Sequence, residues 1–138
     1  MTLTSHVIPI AKELGVHCHI LFISCTTMLS LNAYTPLHLD KKKKKVEQHE
    51  QGPSAGGVGD VDIPDVRCIP QSCLPQPLLH LNKLLTKKFI DNNCEIISTN
   101  GFLVNTFDAL EPAALAALRD GKVILGFPPL YAIGPLRS

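Results

Sequence analysis

Apolar positions along this chain change period several times, and each change marks an element. Within residues 5–14, Val7, Ile10, Ala11 and Leu14 recur at helical spacing, and Gly15 supplies a stop. Pro9 falls within about the first turn, where a missing N–H is tolerated. Residues 16–23 are a short run rich in apolar and β-branched side chains, the pattern of a buried strand. Helical spacing returns over 24–39 through Met28, Leu31 and Tyr34, with Pro36 expected to bend or end that helix.

From 40 to 66 the pattern dissolves into Lys, Gln, Glu, Gly, Pro, Ser and Asp, which predicts a flexible surface loop. Ile69-Pro70 and Cys73-Leu74-Pro75-Gln76-Pro77 then read as an extended, proline-punctuated segment. A helix is expected from 78 to about 98, with Leu81, Leu84, Leu85, Phe89 and Ile96 on one apolar face.

Residues 102–105 form the next expected strand. Asp108 with Glu111 three residues on resembles a capping box, and Glu111 directly before Pro112 serves equally as the cap of a helix starting there. Leu115 and Leu118 would face inward, Gly121 would close the helix, and residues 130–133 would follow the Pro128-Pro129 turn as a third strand. No internal repeat is visible. Strands separated by helices imply an α/β fold with a small parallel sheet and right-handed crossovers. Three such strands leave a hydrophobic edge open, so the sheet is expected to belong to a larger one.

Composition adds limits rather than identity. A chain of 138 residues that is 45% hydrophobic and 18% charged is ordinarily one globular core. A net charge of +1 gives no overall field toward nucleic acid or acidic membrane. The cysteines at 18, 25, 68, 73 and 94 are odd in number without repeated spacing, so they predict a reducing, cytoplasmic setting rather than a disulfide framework. The apolar run over 20–37 is broken by Ser24, Thr26, Thr27, Ser30, Asn32 and Thr35 and is preceded by Lys12-Glu13, so neither a signal peptide nor a membrane span is expected.

Four segments, in order, carry a family resemblance: Ala11-Lys12-Glu13-Leu14-Gly15-Val16; Ile20-Leu21-Phe22-Ile23-Ser24-Cys25; residues 101–112 with Asn105-Thr106-Phe107-Asp108-Ala109-Leu110-Glu111-Pro112; and Tyr131-Ala132-Ile133-Gly134-Pro135-Leu136. With Ile69-Pro70 and Leu74-Pro75, the set resembles the acceptor-side domain of plant family-1 UDP-dependent glycosyltransferases. Its wording is most similar to the branch of flavonoid C-glucosyltransferases and hydroquinone glucosyltransferase-like proteins. The resemblance implies the second half of the N-terminal, Rossmann-like domain of a two-domain GT-B enzyme. In that frame residues 1–39 are a helix-strand-helix unit, 40–66 a loop, and 67–138 the proline segment, helix and final strand-helix-strand.

The same resemblance implies a parent that transfers a sugar, expected to be glucose, from UDP-sugar to a phenolic or flavonoid-like acceptor, with no separate cofactor. The family's general base is a His in a loop, oriented by an Asp, and neither matches a residue here; His6 stands on the wrong segment. The UDP-binding signature, which contains Trp, is also unmatched, for the chain has no Trp. The chain is therefore expected to be a partial, inactive glycosyltransferase. Its alternative is a non-catalytic interaction module that self-associates through an open sheet edge.

What the resemblance carries over is limited to contacts. Ser24 matches the turn beside the sugar, while Ile23 stands where Thr is common and offers no hydroxyl. Met28, Leu31, Asn32, Leu78 and Leu79 are the implied walls of an apolar acceptor pocket. From the residues alone Ser24 is equally an N-cap of the next helix, and Met28 and Leu31 are more often core. Asn105 and Thr106 sit where α/β sheets place ligands, yet capping and turn bonds are their more ordinary use.

Other conspicuous groups favour plain readings. His17-Cys18-His19 would alternate across a strand and so cannot converge on one metal ion. Cys68 and Cys73 lack a second pair for zinc. Lys41 through Lys45 are flanked by Asp40, Glu47, Glu50, Asp60 and Asp62 with no aromatic platform, which favours a solvated loop over a nucleic-acid site. Gly56-Gly57-Val58-Gly59 follows no strand and reads as linker.

Overall fold

The computed structural model describes residues 6–48, 58–79 and 83–136, without the side chains of 43–48 and 83. Position 5, Leu81, Gly56-Gly57 and the side chains of Lys43 to Lys45 lie outside the described residues, as does the middle of the expected loop.

Elements follow in the order α1 (Val7–Glu13), β1 (His19–Phe22), α2 (Thr26–Gln48), β2 (Val61–Ile63), β3 (Arg67–Ile69), a 3-10 turn (Gln71–Cys73), α3 (Gln76–Leu79), α4 (Lys83–Ile96), β4 (Gly101–Val104), α5 (Pro112–Arg119) and β5 (Leu130–Ala132). Strands β1, β4 and β5 form a parallel sheet with β4 in the centre. The order expected from the periodicity is present, with β1 and β5 shorter than expected and β4 shifted by one residue to begin at Gly101.

Register explains the layers. Ile20, Phe102 and Leu130 stand side by side, as do Phe22, Val104 and Ala132. These positions face a core shared with Leu29, Leu31, Leu115 and Leu118 from α2 and α5. Phe102 and Val104 are wholly buried, and Phe102 stacks on Phe127 with centroids 5.2 Å apart. The opposite side places Leu21, Leu103 and Tyr131 in one row, of which Leu21 and Tyr131 are about half exposed.

Helix ends are specified locally. Gly121 adopts a left-handed φ of 70°, and the amides of Gly121 and Lys122 bond back to Leu118 and Ala117. Those paired returns satisfy carbonyls that the last turn of α5 would otherwise leave open. Gly15 ends α1 in the same manner, through Gly15 and Val16 amides to Lys12 and Ala11.

Four expectations are corrected. Helix α2 does not end near Pro36 but continues to Gln48, into the segment expected to be loop. Lysine is a good helix former, Lys41 lies over the Tyr34 ring at 5.6 Å, and the Lys42 ammonium donates to the Val58 carbonyl. Second, the segment after residue 57 is not featureless: β2 and β3 form an antiparallel hairpin that buries Val58, Val61, Ile63 and Ile69.

Third, the apolar stripe Val7, Ile10 and Leu14 of α1 faces solvent, and the buried residue is Ile8. In α4, likewise, Leu84 and Leu85 are exposed, and Thr86, Asn93 and Ile96 are the buried positions. Fourth, no Asp108 capping box forms. The Asp108 carboxylate pairs with Arg119 at 2.8 Å, and α5 starts at Pro112, whose missing N–H costs nothing at that position.

Candidate functional site

The three parallel strands end together at their carboxyl termini, where open α/β sheets bind ligands. The segments leaving that edge are Ile23-Ser24-Cys25 after β1, Asn105-Thr106-Phe107 after β4, and Ile133-Gly134-Pro135 after β5. They are stitched across the edge by short hydrogen bonds. The Ile133 amide donates to Val104 at 3.0 Å, the Gly134 amide to Thr106 at 2.8 Å, and the Leu136 amide to the Asn105 side-chain oxygen at 2.9 Å.

Glu111 is the charged group in this stitching. Its carboxylate accepts from the Thr26 amide at 2.9 Å, the Thr27 amide at 3.2 Å, the Thr27 hydroxyl at 3.3 Å and the Thr106 hydroxyl at 3.0 Å. The acceptor for the first turn of α2 thus comes from a residue 85 positions away, not from Ser24. Cys25 stands at the N-cap, its carbonyl taking the amides of Met28 and Leu29. Burial pushes the Glu111 carboxyl up, but donors from Thr26, Thr27 and Thr106 outweigh that and hold it below its ordinary value. A carboxylate at a helix N-terminus is also favoured by the helix dipole.

The expected site residues separate into two groups. Ser24 is exposed in the turn after β1, and Met28, Asn32 and Leu79 are half-buried. Leu31 and Leu78 are fully enclosed in the core, so they reach no solvent-borne ligand in this arrangement. Asn32 carries a buried side-chain oxygen without a partner among the described residues, one turn before Pro36. Asn105 is exposed and clamps the β5 exit, and Thr106 is buried and bonded to Glu111. Both therefore serve the turn-holding role that the residues alone favoured.

Residues 17–19 behave as a strand entry. His17 and His19 are exposed, and Cys18 is half-buried with its amide bonded to the Asn100 side chain at 2.8 Å. Among the described residues no cluster of His, Cys, Asp and Glu is suited to a metal ion, and all five cysteines are free thiols. No helix among them is long and apolar enough to cross a membrane. The Glu111 clasp escaped the sequence reading. Its only local signal is a glutamate directly before a helix-initiating proline, which reads as a cap of its own helix.

The fold is part of a parallel α/β domain with an open carboxyl edge. No family model matches the chain. The chain is 52% identical over 136 residues to "UDP-glycosyltransferase CGT" of rice, a match covering 99% of this chain and 27% of that protein. It is 45% identical over 139 residues to "UDP-glycosyltransferase 708A6" of maize, covering 99% of this chain and 28% of the relative.

Among solved structures, LpCGTa in complex with UDP is 36% identical with a TM-score of 0.71 over 99% of this chain and 28% of its own. UGT2 of Phytolacca americana, complexed with UDP-2fluoro-glucose and pterostilbene, is 20% identical with a TM-score of 0.75 over 97% of this chain and 28% of its own, a likeness of fold alone. The chain belongs to the plant family-1 UDP-glycosyltransferases, of GT-B fold, and spans about a quarter of the length of the relatives it matches.

Proposed function

We propose that this chain forms part of the acceptor-side layer of a UDP-glycosyltransferase. The reaction moves a sugar, taken as glucose, from UDP-sugar to a phenolic or flavonoid-like small molecule. A bond forms between the acceptor and the anomeric carbon, the bond from that carbon to the diphosphate breaks, UDP leaves with the electron pair, and a general base takes the acceptor proton. The observation that carries the reading is the 52% identity to a rice UDP-glycosyltransferase across 99% of the chain.

Within that reading Ser24 lies next to the sugar, and Met28, Asn32 and Leu79 wall the acceptor, with Leu31 and Leu78 supporting them from the core. None of the residues is assigned as the base. The base, its orienting carboxylate and the UDP site belong to parts of the family fold that this segment does not match. A cytoplasmic setting, consistent with the five free thiols, completes the reading.

The test uses two proteins. The chain alone, incubated with UDP-glucose and a panel of phenols, is expected to give no glycoside. The rice relative with its matching segment replaced by this chain is expected to give glycoside. A folded replacement protein that transfers nothing overturns the reading, and turnover by the chain alone overturns the assignment of the base elsewhere.

A second reading rests on the half-exposed Leu21 on one edge strand, β1, and the half-exposed Tyr131 on the other, β5. In it the chain pairs with a second copy of itself and catalyses nothing. Mass measured against concentration separates the two.

A further inference from the structure

We propose that Glu111 is the positioning residue of the Ser24 turn, a role that rests on the reading of Ser24 as the sugar-proximal residue. The carboxylate joins two pieces of backbone far apart in the chain, the start of α2 and the end of β4. Through the Thr26 and Thr27 amides it holds the start of α2, and hence the turn 23–25 that leads into it. Through the Thr106 hydroxyl it holds the end of β4. Thr106 in turn accepts the Gly134 amide at 2.8 Å, which brings in the exit of β5. One side chain therefore ties the β1 exit to the end of β4, to which the β5 exit is bonded in turn.

Chemistry favours an anion in this place. The first amides of a helix have no partner in their own helix, and α2 has no acidic residue in its first turn. Thr26 and Thr106 are buried, so water is a poor substitute for the carboxylate. Two charge-assisted bonds to backbone amides also occupy the positive end of α2. That end is a ready anion site in many α/β folds, and here it is already filled by the protein. The Ser24 turn thus meets its ligand with hydroxyl and backbone groups, which suit a sugar, and the first amides of α2 are not open to the diphosphate.

Amide NMR on the chain decides this without any turnover measurement, so an inactive chain does not confuse the outcome. On lowering the pH, the amide shifts of Ser24, Thr26 and Thr27 are expected to titrate together with a midpoint below the ordinary glutamate range, while those of Phe102 and Val104 stay fixed. In Glu111→Gln that titration disappears, and hydrogen-exchange protection at Thr26 and Thr27 falls about tenfold or more, with Phe102 and Val104 unchanged. If Glu111→Gln does not fold, the wild-type titration still decides. Ser24, Thr26 and Thr27 shifts that ignore pH, or protection lost equally at Phe102 and Val104, overturn the proposal.

Discussion

The backbone of Gly134 lies directly against Asn105: an ideal Cβ on Gly134 would stand 2.7 Å from the Asn105 side-chain oxygen and 2.7 Å from the Thr106 amide nitrogen. Carbon does not approach backbone that closely, so the β5 exit can cross the end of β4 only with glycine at this place. Gly134→Ala should therefore destabilise the chain by about 1–3 kcal/mol, the usual cost of overpacking. Asn105→Ala, which removes the acceptor of the Leu136 amide at an exposed site, should cost only about 0.5–1.5 kcal/mol. Urea denaturation of the two variants checks the order; equal effects would mean that the close approach relaxes freely.

The central strand sets the second expectation. Phe102 has no exposed surface and stacks on Phe127 with an angle of 16° between the rings. Phe102→Ala leaves a cavity between the sheet and its covering residues, and should cost about 3–5 kcal/mol. For a chain of this size that is a large share of the total stability. A thermal midpoint little changed by Phe102→Ala would show that the sheet is not the stabilising centre.

Much of the sheet was legible because its signals are local. Ile20 to Phe22 and Phe102 to Val104 are apolar runs whose strand character follows from their own composition, and Phe102, Val104 and Leu130 are buried. Direction is harder. Periodicity identified the stripe of Val7, Ile10 and Leu14, yet which stripe is covered depends on neighbours in space, and here Ile8 faces the core instead. The hairpin of β2 and β3 was missed because three-residue strands are shorter than the alternation that marks a strand.

Pro36 misled for a related reason. A proline removes one helical bond and strains the preceding turn, but Lys41 on Tyr34 and Lys42 on Val58 hold the helix beyond it. Of the site, the Ser24 turn was visible by resemblance. The clasp from Glu111 to Thr26 was not, since no sequence rule pairs residues 85 positions apart.

His38 gives a pH dependence with a definite sign. Burial first, then the charges of Lys42 and Lys41, lower its pKa below the ordinary 6.5, and its Nε2 atom is buried without a partner among the described residues. The unfolded chain then takes up this proton at a higher pH than the folded one. Stability tied to His38 is intact above about 6.5 and is lost as pH falls through the lowered folded value. Thermal midpoints of wild type and His38→Gln, compared from pH 7.5 to 5, should draw together or cross as the pH falls. A constant difference across that range would mean that His38 titrates alike in both states.

The half-exposed side of the sheet makes the last prediction. Leu21, Leu103 and Tyr131 stand in register in one row, and β1 pairs with β4 on only one of its edges among the described strands. An apolar row beside an open edge is the ordinary starting point for strand-to-strand association. If the second functional reading holds, sedimentation should show a mass that rises with concentration. Leu21→Lys and Tyr131→Lys should hold the chain monomeric while shifting its stability by no more than about 0.5 kcal/mol, because neither side chain belongs to the core. A wild-type chain that stays monomeric at every concentration removes the self-association reading and leaves the acceptor-layer role standing alone.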